Sequence, residues 1–311
     1  MKDADRVASV VQSLKDATQG TGTEVTVKCR LGADDMDSYK EFSAFIETVE
    51  KTGCKHFIVH ARKCWLNGLN PKQNRTIPHL KYHWVYRAAC QFPHLRISLN
   101  GGLNEWEEWE AALSTERLQD VCHPLAASVL GAHSSTETAH ATPAKVTPRA
   151  CEQLQAVEDP IEYGEGTLWR QMQSGAAYQR GGLLDSIMIG RAAWHHPWKF
   201  ADVDRRLFGQ INPAAHRLDA IMKYLDWLEK IHSEGWKLPS SNVLIKPIIA
   251  LFSGVHGGKH WRRAVVEGVR DVSPSDIRAV VVDALQHIPE EALTLPPSEE
   301  YVHPKSRNHE E

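Results

Sequence analysis

The stretch VTVKCR at residues 25–30 decides how the chain folds, because it is short, rich in β-branched side chains and alternates between apolar and polar residues. Such alternation predicts a β-strand that carries Thr26, Lys28 and Arg30 on one face. Three more stretches predict strands, namely HFIVHAR at 56–62, RISLN at 96–100 and SIMIGR at 186–191.

The stretches next to these strands have the apolar spacing of amphipathic helices, which predicts parallel β/α units. Helices are predicted over 3–17, 38–53 with a Ser38–Glu41 capping box, 82–91, and 104–113 with an Asn104–Glu107 cap. Short turns follow the helices, whereas longer and more polar loops follow the strands. This asymmetry favours a (β/α) barrel, whose functional site forms at the carboxyl ends of the strands. A doubly wound sheet is the alternative, but its G-x-G-x-x-G motif is missing.

Composition divides the chain into parts. Residues 1–212 carry the predicted barrel domain, with a long insertion at about 114–181 that is rich in Ser, Thr, Ala and Pro and lacks periodicity. Residues 213–290 predict a small all-α domain, and residues 291–311 predict a disordered tail. The helices of the second domain are predicted over 218–231, 243–252 with a break at Pro247, 260–268 and 275–287.

Composition also excludes several classes of protein. Apolar residues make up 42% of the 311 residues, which excludes a wholly disordered chain. No apolar run approaches ~18 residues, so no membrane span is predicted. A formal net charge of −3 disfavours a protein that coats nucleic acid indiscriminately. The six cysteines form no C-x-x-C pair, which favours reduced thiols and a cytoplasmic location.

The first two strands end in residues that could carry chemistry. Lys28 is predicted to face the mouth of the barrel, where its charge needs either a ligand or a structural salt bridge. Cys29 is predicted to face the helical shell instead. His60 ends the second strand, and a histidine there is either a ligand contact or a satisfied core residue.

The other two strands end in glycine motifs. Asn100-Gly101-Gly102 and Gly190-Arg191 would let backbone N–H groups approach a phosphate, with Arg191 adding a positive fork. Simple turn chemistry is the alternative for each motif alone. Because all these groups lie at strand ends, together they predict a phosphorylated ligand. Flavin mononucleotide (FMN) fits, with its phosphate on the glycines and its polar ring edge on Lys28 and His60.

Several longer segments add to these motifs. They are VTVKCRLG at 25–32, HARKCWL at 60–66, NPK at 70–72, NR at 74–75, NGG at 100–102, IGR at 189–191 and FSGVHGGKHWRR at 252–263. In this combination and spacing, the chain closely resembles the A subfamily of tRNA-dihydrouridine synthases over about 24–113 and 183–275.

The resemblance implies an FMN-dependent TIM barrel followed by a helical tRNA-binding domain. It also implies NADPH-driven reduction of uridine to 5,6-dihydrouridine in the tRNA D-loop. By the same resemblance, FMN contacts are expected at Lys28, His60, Asn100, Gly101, Gly102, Gly190 and Arg191. Contacts with tRNA are expected at Lys72, Arg75, Lys259 and Arg262.

The chain also departs from the family pattern. The family's first four strands, and an Asn-x-x-Cys-Pro loop whose cysteine protonates uridine C5, have no counterpart here, so the catalytic acid is unknown. Cys64, beside the mouth, is a weak substitute. We therefore expect a partial barrel made of the last four β/α units, closed by a missing N-terminal half, a second chain or a homodimer. The alternative functions are a non-catalytic tRNA-binding remnant and another FMN barrel acting on a small molecule.

Three aromatic or imidazole features leave alternatives open. Trp261 is predicted either to stack on a base or to be buried behind a basic helix face. Trp65 would either stack or plug the barrel. No metal is expected, because His195 and His196 lack a third ligand at fitting spacing.

Overall fold

The structure is a computed structural model that describes residues 1–113, 184–299 and 301. The predicted insertion at 114–181 and the end of the predicted tail lie outside these residues. The chain forms two compact units, residues 1–189 and 190–311. This division follows compactness, and the domain boundary at 212 stays a prediction.

The first unit alternates strands and helices. Its elements are α1 (Ala4–Ala17), β1 (Val27–Arg30), α2 (Tyr39–Glu50), β2 (His56–His60), a 3₁₀ turn (Gln73–Arg75), α3 (Tyr82–Gln91), β3 (Arg96–Asn100), α4 (Trp106–Leu113) and β4 (Ser186–Met188). The four strands form one parallel sheet in the order β1-β2-β3-β4. The prediction of a parallel α/β fold is therefore confirmed, and the sequential strand order is that of a barrel wall. Closure into a partial barrel stays a prediction.

The register of the sheet places its last residues side by side. Arg30 pairs with His60, which pairs with Asn100. Parallel strands that end in register bring their carboxyl ends to one edge, so the loops that follow them gather there. Side-chain alternation along β1 is as predicted, because Val27 and Cys29 are buried whereas Lys28 is exposed.

Helix α2 shows why this sequence folds as it does. Ser38 accepts from the Glu41 backbone N–H, and the Glu41 carboxylate accepts from the Ser38 backbone N–H, so the predicted capping box is confirmed. Such caps contribute about 1 kcal/mol each. The helix buries Phe42, Ile46 and Val49 completely, at the helical spacing that predicts its inner face.

Several boundaries differ from the predictions. The second strand ends at His60 instead of residue 62, because the buried Arg62 turns away and donates to the carbonyls of Thr76 and Pro78. The first strand begins at Val27 instead of residue 25, and the fourth strand ends at Met188, opposite Asn100, the last residue of β3. At the start of α4 it is Glu108, not Glu107, whose carboxylate accepts from the backbone N–H groups of residues 104 and 105.

The second unit is built from helices in the part of 190–299 that the structure describes. They are α5 (Arg191–His195), α6 (Val203–Phe208), α7 (Arg217–Ser233), α8 (Ser241–Leu244), α9 (Gly258–Gly268), α10 (Ile277–Ala284) and α11 (Glu290–Thr294), with 3₁₀ turns at Pro197–Asp202, Pro274–Asp276 and Leu285–His287. Only Val243 and Leu244 of the predicted helix at 243–252 are α-helical, at the end of α8, and turns follow through Pro247, which cannot donate a helical hydrogen bond. Helix α11 buries Ala292, so the predicted tail begins with ordered structure.

Among the helices of the described ranges, none has the length and apolar character needed to cross a bilayer.

Candidate functional site

The carboxyl edge of the sheet brings three predicted site residues together. The Lys28 ammonium donates to Asn100 Oδ1 at 3.0 Å, reaching across β2. The Asn100 amide N–H donates in turn to the Met188 carbonyl at 2.6 Å, which ties this pair to β4. His60 lies between them in the strand register. The hydrogen bond joins two residues that are 72 positions apart in the sequence.

Lys28 has no carboxylate partner in the described part of the chain, so the structural salt-bridge interpretation is wrong there. Partial desolvation is the main cause that lowers the pKa of Lys28, and the neighbouring Arg30 guanidinium lowers it further. One of the three N–H donors of the ammonium is used by Asn100. The remaining two are available to an acceptor outside the protein, such as a carbonyl or an anionic ring.

Backbone conformation and close neighbouring atoms explain why two glycines follow β3. Gly101 has φ +103°, and a Cβ there would lie 2.3 Å from His60 Cδ2. Gly102 has φ +72°, and a Cβ there would lie 2.6 Å from Tyr82 Oη, which itself donates to the Gly101 carbonyl at 2.6 Å. Gly101 therefore lets the His60 imidazole lie directly against the backbone, and Gly102 does the same for the Tyr82 hydroxyl. A phosphate-binding role for Gly101 and Gly102 stays a prediction beside this packing reason.

Arg30 was not singled out by sequence reasoning, yet it organises the long loop over residues 61–81. Its guanidinium donates to the carbonyls of Lys63 and Asn74, each at 2.8 Å. The Asn70 side chain accepts from the backbone N–H groups of Lys72 and Gln73, both at 2.9 Å, and thereby starts the 3₁₀ turn. The only sequence signal for this role was that Arg30 shares a face with Lys28.

The predicted tRNA contacts of the first unit lie on this loop. Lys72 and Arg75 flank the 3₁₀ turn, and both are exposed. Neither forms an ion pair with any residue in the described ranges. Their charges are therefore available to phosphate oxygens in solution.

A second polar cluster, also missed by sequence reasoning, occupies the amino-terminal end of the same sheet face. Arg96 donates to His56 Nδ1 at 2.9 Å, so His56 carries its proton on Nε2 and donates to Ser98 Oγ at 2.7 Å. Ser98 Oγ lies 2.7 Å from Ser186 Oγ. This cluster ties three strands together at the end of the sheet where barrel residues serve stability.

Cys29 does not contribute to the site. It is buried on the shell face of β1, as predicted, and burial raises the pKa of its thiol to about 12. Cys64 is partly exposed beside the long loop, and Asp34 donates its backbone N–H to the Cys64 carbonyl at 2.8 Å. Burial therefore keeps the Cys29 thiol out of the chemistry, and the catalytic acid stays unassigned.

The second unit carries the remaining predicted residues. Gly190 precedes α5, a Cβ there would meet open space, and Arg191 is exposed. Lys259 and Arg262 are exposed one helical turn apart on α9, as a nucleic-acid contact requires. Trp261 between them is fully buried, with its ring 5.1 Å from that of Phe252, so the base-stacking alternative for Trp261 is wrong.

Known proteins match this chain over most of its length. A family model described as Dihydrouridine synthase (Dus) matches residues 1–173. The tRNA-dihydrouridine(20/20a) synthase of Vibrio cholerae is 30% identical over 294 residues, which cover 94% of this chain and 67% of that protein. The proteins of the same description from Synechocystis and Escherichia coli are each 30% identical, covering 85% and 86% of this chain.

The chain spans only 57% and 56% of the Synechocystis and Escherichia coli proteins. The family itself is nevertheless shown, because the matched residues 1–173 make up more than half of the 311 residues. Taken with the parallel β/α architecture, these matches show that the chain belongs to the dihydrouridine synthase family, as the sequence motifs had predicted.

Proposed function

We propose that this chain is part of an FMN-dependent tRNA-dihydrouridine synthase, which reduces uridine to 5,6-dihydrouridine in the tRNA D-loop with NADPH as electron donor. Family membership supports the reaction, since the relatives are named tRNA-dihydrouridine(20/20a) synthases. The observation that carries the cofactor proposal is the Lys28–Asn100 hydrogen bond beside His60 at the carboxyl edge of the sheet.

The residues at this edge fit a flavin. A lysine ammonium with two unused donors suits the electron-rich edge of the isoalloxazine ring. His60 adds an imidazole held against Gly101, at a fixed place beside that ammonium in the strand register. Asn100 would position Lys28 through their 3.0 Å hydrogen bond, and Gly101 and Gly102 would bring backbone N–H groups towards the phosphate. When bound, FMN supplies the hydride that reduces the uracil ring.

The FMN phosphate is assigned to Gly190 and Arg191 on the sequence motif. A glycine at a strand end leaves room for an anion, and an exposed arginine next to it supplies two parallel donors. Among the described residues, no neighbour requires a glycine at 190, because a Cβ there would meet none of their atoms within 4 Å and its φ of −114° is negative. This makes Gly190 a better candidate for ligand contact than Gly101, whose packing already explains it.

The tRNA substrate would be held through its phosphates by two pairs of cations. Lys72 and Arg75 lie beside the strand-end site, and Lys259 and Arg262 lie on α9. Their exposure and lack of ion-pair partners in the described ranges support this assignment.

A non-catalytic tRNA-binding role is the second candidate function. It is favoured by the thiols, because Cys29, Cys54 and Cys90 are buried and no cysteine of this sequence stands in an Asn-x-x-Cys-Pro motif. The synthase proposal therefore requires further β/α units that close the sheet and supply the acid, either on the same polypeptide or on a second chain.

Two measurements test these proposals. The purified chain should bind FMN stoichiometrically, which flavin absorbance and quenching of flavin fluorescence would detect. Dihydrouridine formed in an unmodified tRNA transcript, with NADPH, separates the synthase from the binding protein. A chain that binds tRNA but binds no FMN, and forms no dihydrouridine even when the further β/α units are supplied, would contradict the synthase proposal and support the second candidate.

A further inference from the structure

Trp65 is presented to solvent from a loop that is held by polar contacts on several sides. The side chain is 37% exposed, so Trp65 does not plug the sheet face. The next residue, Leu66, is 61% exposed, and its backbone N–H donates to Asp34 Oδ1 at 2.8 Å. A single exposed apolar side chain is ordinary on a protein surface, so the case for a ligand at Trp65 rests on how the ring is held and on its neighbours.

The backbone of Trp65 is clamped at both of its polar groups by one side chain. The Trp65 N–H donates to Asn74 Oδ1 at 2.8 Å, and Asn74 Nδ2 donates back to the Trp65 carbonyl at 2.8 Å. The Asn74 carbonyl accepts from Arg30, whose guanidinium also holds the Lys63 carbonyl. Because Arg30 ends β1, the position of Trp65 is tied to the sheet through two side chains.

One face of the indole is covered by a cation. Lys63 Nζ lies 4.2 Å from the Trp65 ring centroid, and Lys63 is itself paired with Asp37 at 2.9 Å. A cation on one face leaves the opposite face for a flat partner. The acids around this loop are also occupied, since Asp34 pairs with Lys2, and Asp37 pairs with both Lys63 and Lys81.

The surroundings favour a nucleobase as that flat partner. Asn74 clamps Trp65 and is followed at once by Arg75, and Lys72 starts the same 3₁₀ turn. Exposed cations without ion pairs bind phosphates, and an aromatic ring among them stacks on the base that those phosphates carry. A protein partner could bind the Trp65 ring alone, whereas a nucleic acid uses both the ring and the exposed cations Lys72 and Arg75 beside it.

We propose that Trp65 is a base-stacking residue of the tRNA-binding surface, which stacks on an unpaired base of the substrate while Lys72 and Arg75 hold the adjacent phosphates. This inference rests on the proposed function, because it takes tRNA to be the ligand. Trp65 would contribute by stacking, whereas Lys72 and Arg75 contribute through their charge. The two contributions depend differently on salt concentration, so they can be measured separately.

The test measures binding of an unmodified tRNA transcript to the full chain at several salt concentrations. Trp65→Ala should weaken binding about 5- to 150-fold, the range that stacking on one base contributes. Trp65→Phe should retain most of the affinity, whereas Trp65→Leu, which keeps apolar volume, should not. Trp227→Ala, at a comparably exposed tryptophan of the second unit, is the matched control and should bind as the unchanged chain does.

The salt dependence separates stacking from charge. The slope of log K against log salt concentration should be unchanged in Trp65→Ala, but its magnitude should fall by roughly 0.7–0.9 in Lys72→Ala. Unchanged affinity in Trp65→Ala, or equal loss in the Phe and Leu variants, overturns the inference. If Lys72→Ala still changes the slope in that case, tRNA binding survives and only Trp65 is removed from the surface. If the unchanged chain does not bind tRNA at all, the proposed function fails together with the inference.

Discussion

Asn100 holds Lys28 and the fourth strand at the same time. Its side-chain oxygen accepts from the Lys28 ammonium at 3.0 Å, and its nitrogen donates to the Met188 carbonyl at 2.6 Å. Both ends of the Asn100 amide are therefore engaged inside the protein. The arrangement indicates that Asn100 positions Lys28, which we propose as the residue that contacts the ligand.

A double-mutant cycle on FMN affinity tests this relationship. Lys28→Met should weaken FMN binding about 10- to 100-fold, the range for hydrogen bonds from a charged donor. Asn100→Ala should weaken it about 3- to 10-fold in the original chain but add little in the Lys28→Met background, because its effect passes through Lys28. Titration of flavin fluorescence gives all four affinities.

Additive effects in that cycle would show that Asn100 contacts FMN directly and would contradict the positioning role. Loss of the bond to Met188 could also loosen β4, so thermal unfolding of the ligand-free variants is measured in parallel. Asn67→Ala, on the exposed part of the long loop, is the matched control and should alter neither quantity.

Gly101 and Gly190 should respond oppositely to alanine. Gly101→Ala should destabilise the protein by about 2–4 kcal/mol, because it combines a positive φ with a Cβ 2.3 Å from His60. Gly190→Ala should leave stability within about 0.5 kcal/mol, or raise it slightly, since the site is open and its φ is negative. Urea unfolding gives both values.

The FMN affinity of the Gly190→Ala protein tests whether Gly190 lies at the ligand. If Gly190 lies against the phosphate, Gly190→Ala should weaken FMN binding although the fold is unchanged. Unaltered FMN affinity in a stable Gly190→Ala protein would remove this glycine from the site. Gly20→Ala, with a positive φ of +78° but no atoms within 4 Å, measures the strain of the backbone alone.

Local patterns sufficed to predict the strands, the face on which Lys28 lies and the capping box of α2, because each depends on residues only two to four positions apart. The bond from Lys28 to Asn100 could not be derived in this way, since it depends on the register of three strands. The same holds for Arg30, whose loop-organising contacts reach residues 33 and 44 positions away. The burial of Trp261 was undecidable from its basic neighbours, because the helix turns them outward and the indole inward.

Cys29 should make the stability of the first unit depend on alkaline pH. In the folded chain its thiol keeps a proton up to a pKa of about 12, whereas the unfolded chain ionises near its ordinary value of 9.0. Between these values the unfolded state binds fewer protons than the folded state, so stability falls as pH rises from about 9 towards 12. Below pH 9 this group contributes no pH dependence.

Urea unfolding at pH 8 to 10.5 in the original chain and in Cys29→Ala measures this contribution. The difference in unfolding free energy between the two proteins should be constant up to about pH 9 and then shrink steadily. A difference that stays constant to pH 10.5 would mean that the thiol ionises equally in both states.

The two basic positions of α9 should differ from their neighbour Arg263 in tRNA binding. Lys259 and Arg262 have no ion-pair partner in the described ranges, whereas Arg263 Nε lies 3.0 Å from Glu267 Oε1. Lys259→Ala and Arg262→Ala should each reduce the slope of log K against log salt concentration by roughly 0.7–0.9. Arg263→Ala should change the slope less, because Glu267 already offsets its charge.

All three side chains are exposed, so none of these variants should lower the thermal unfolding temperature appreciably. Equal slopes for the three variants and the original chain would place the tRNA away from α9, and the second unit would then need another explanation for its exposed cations.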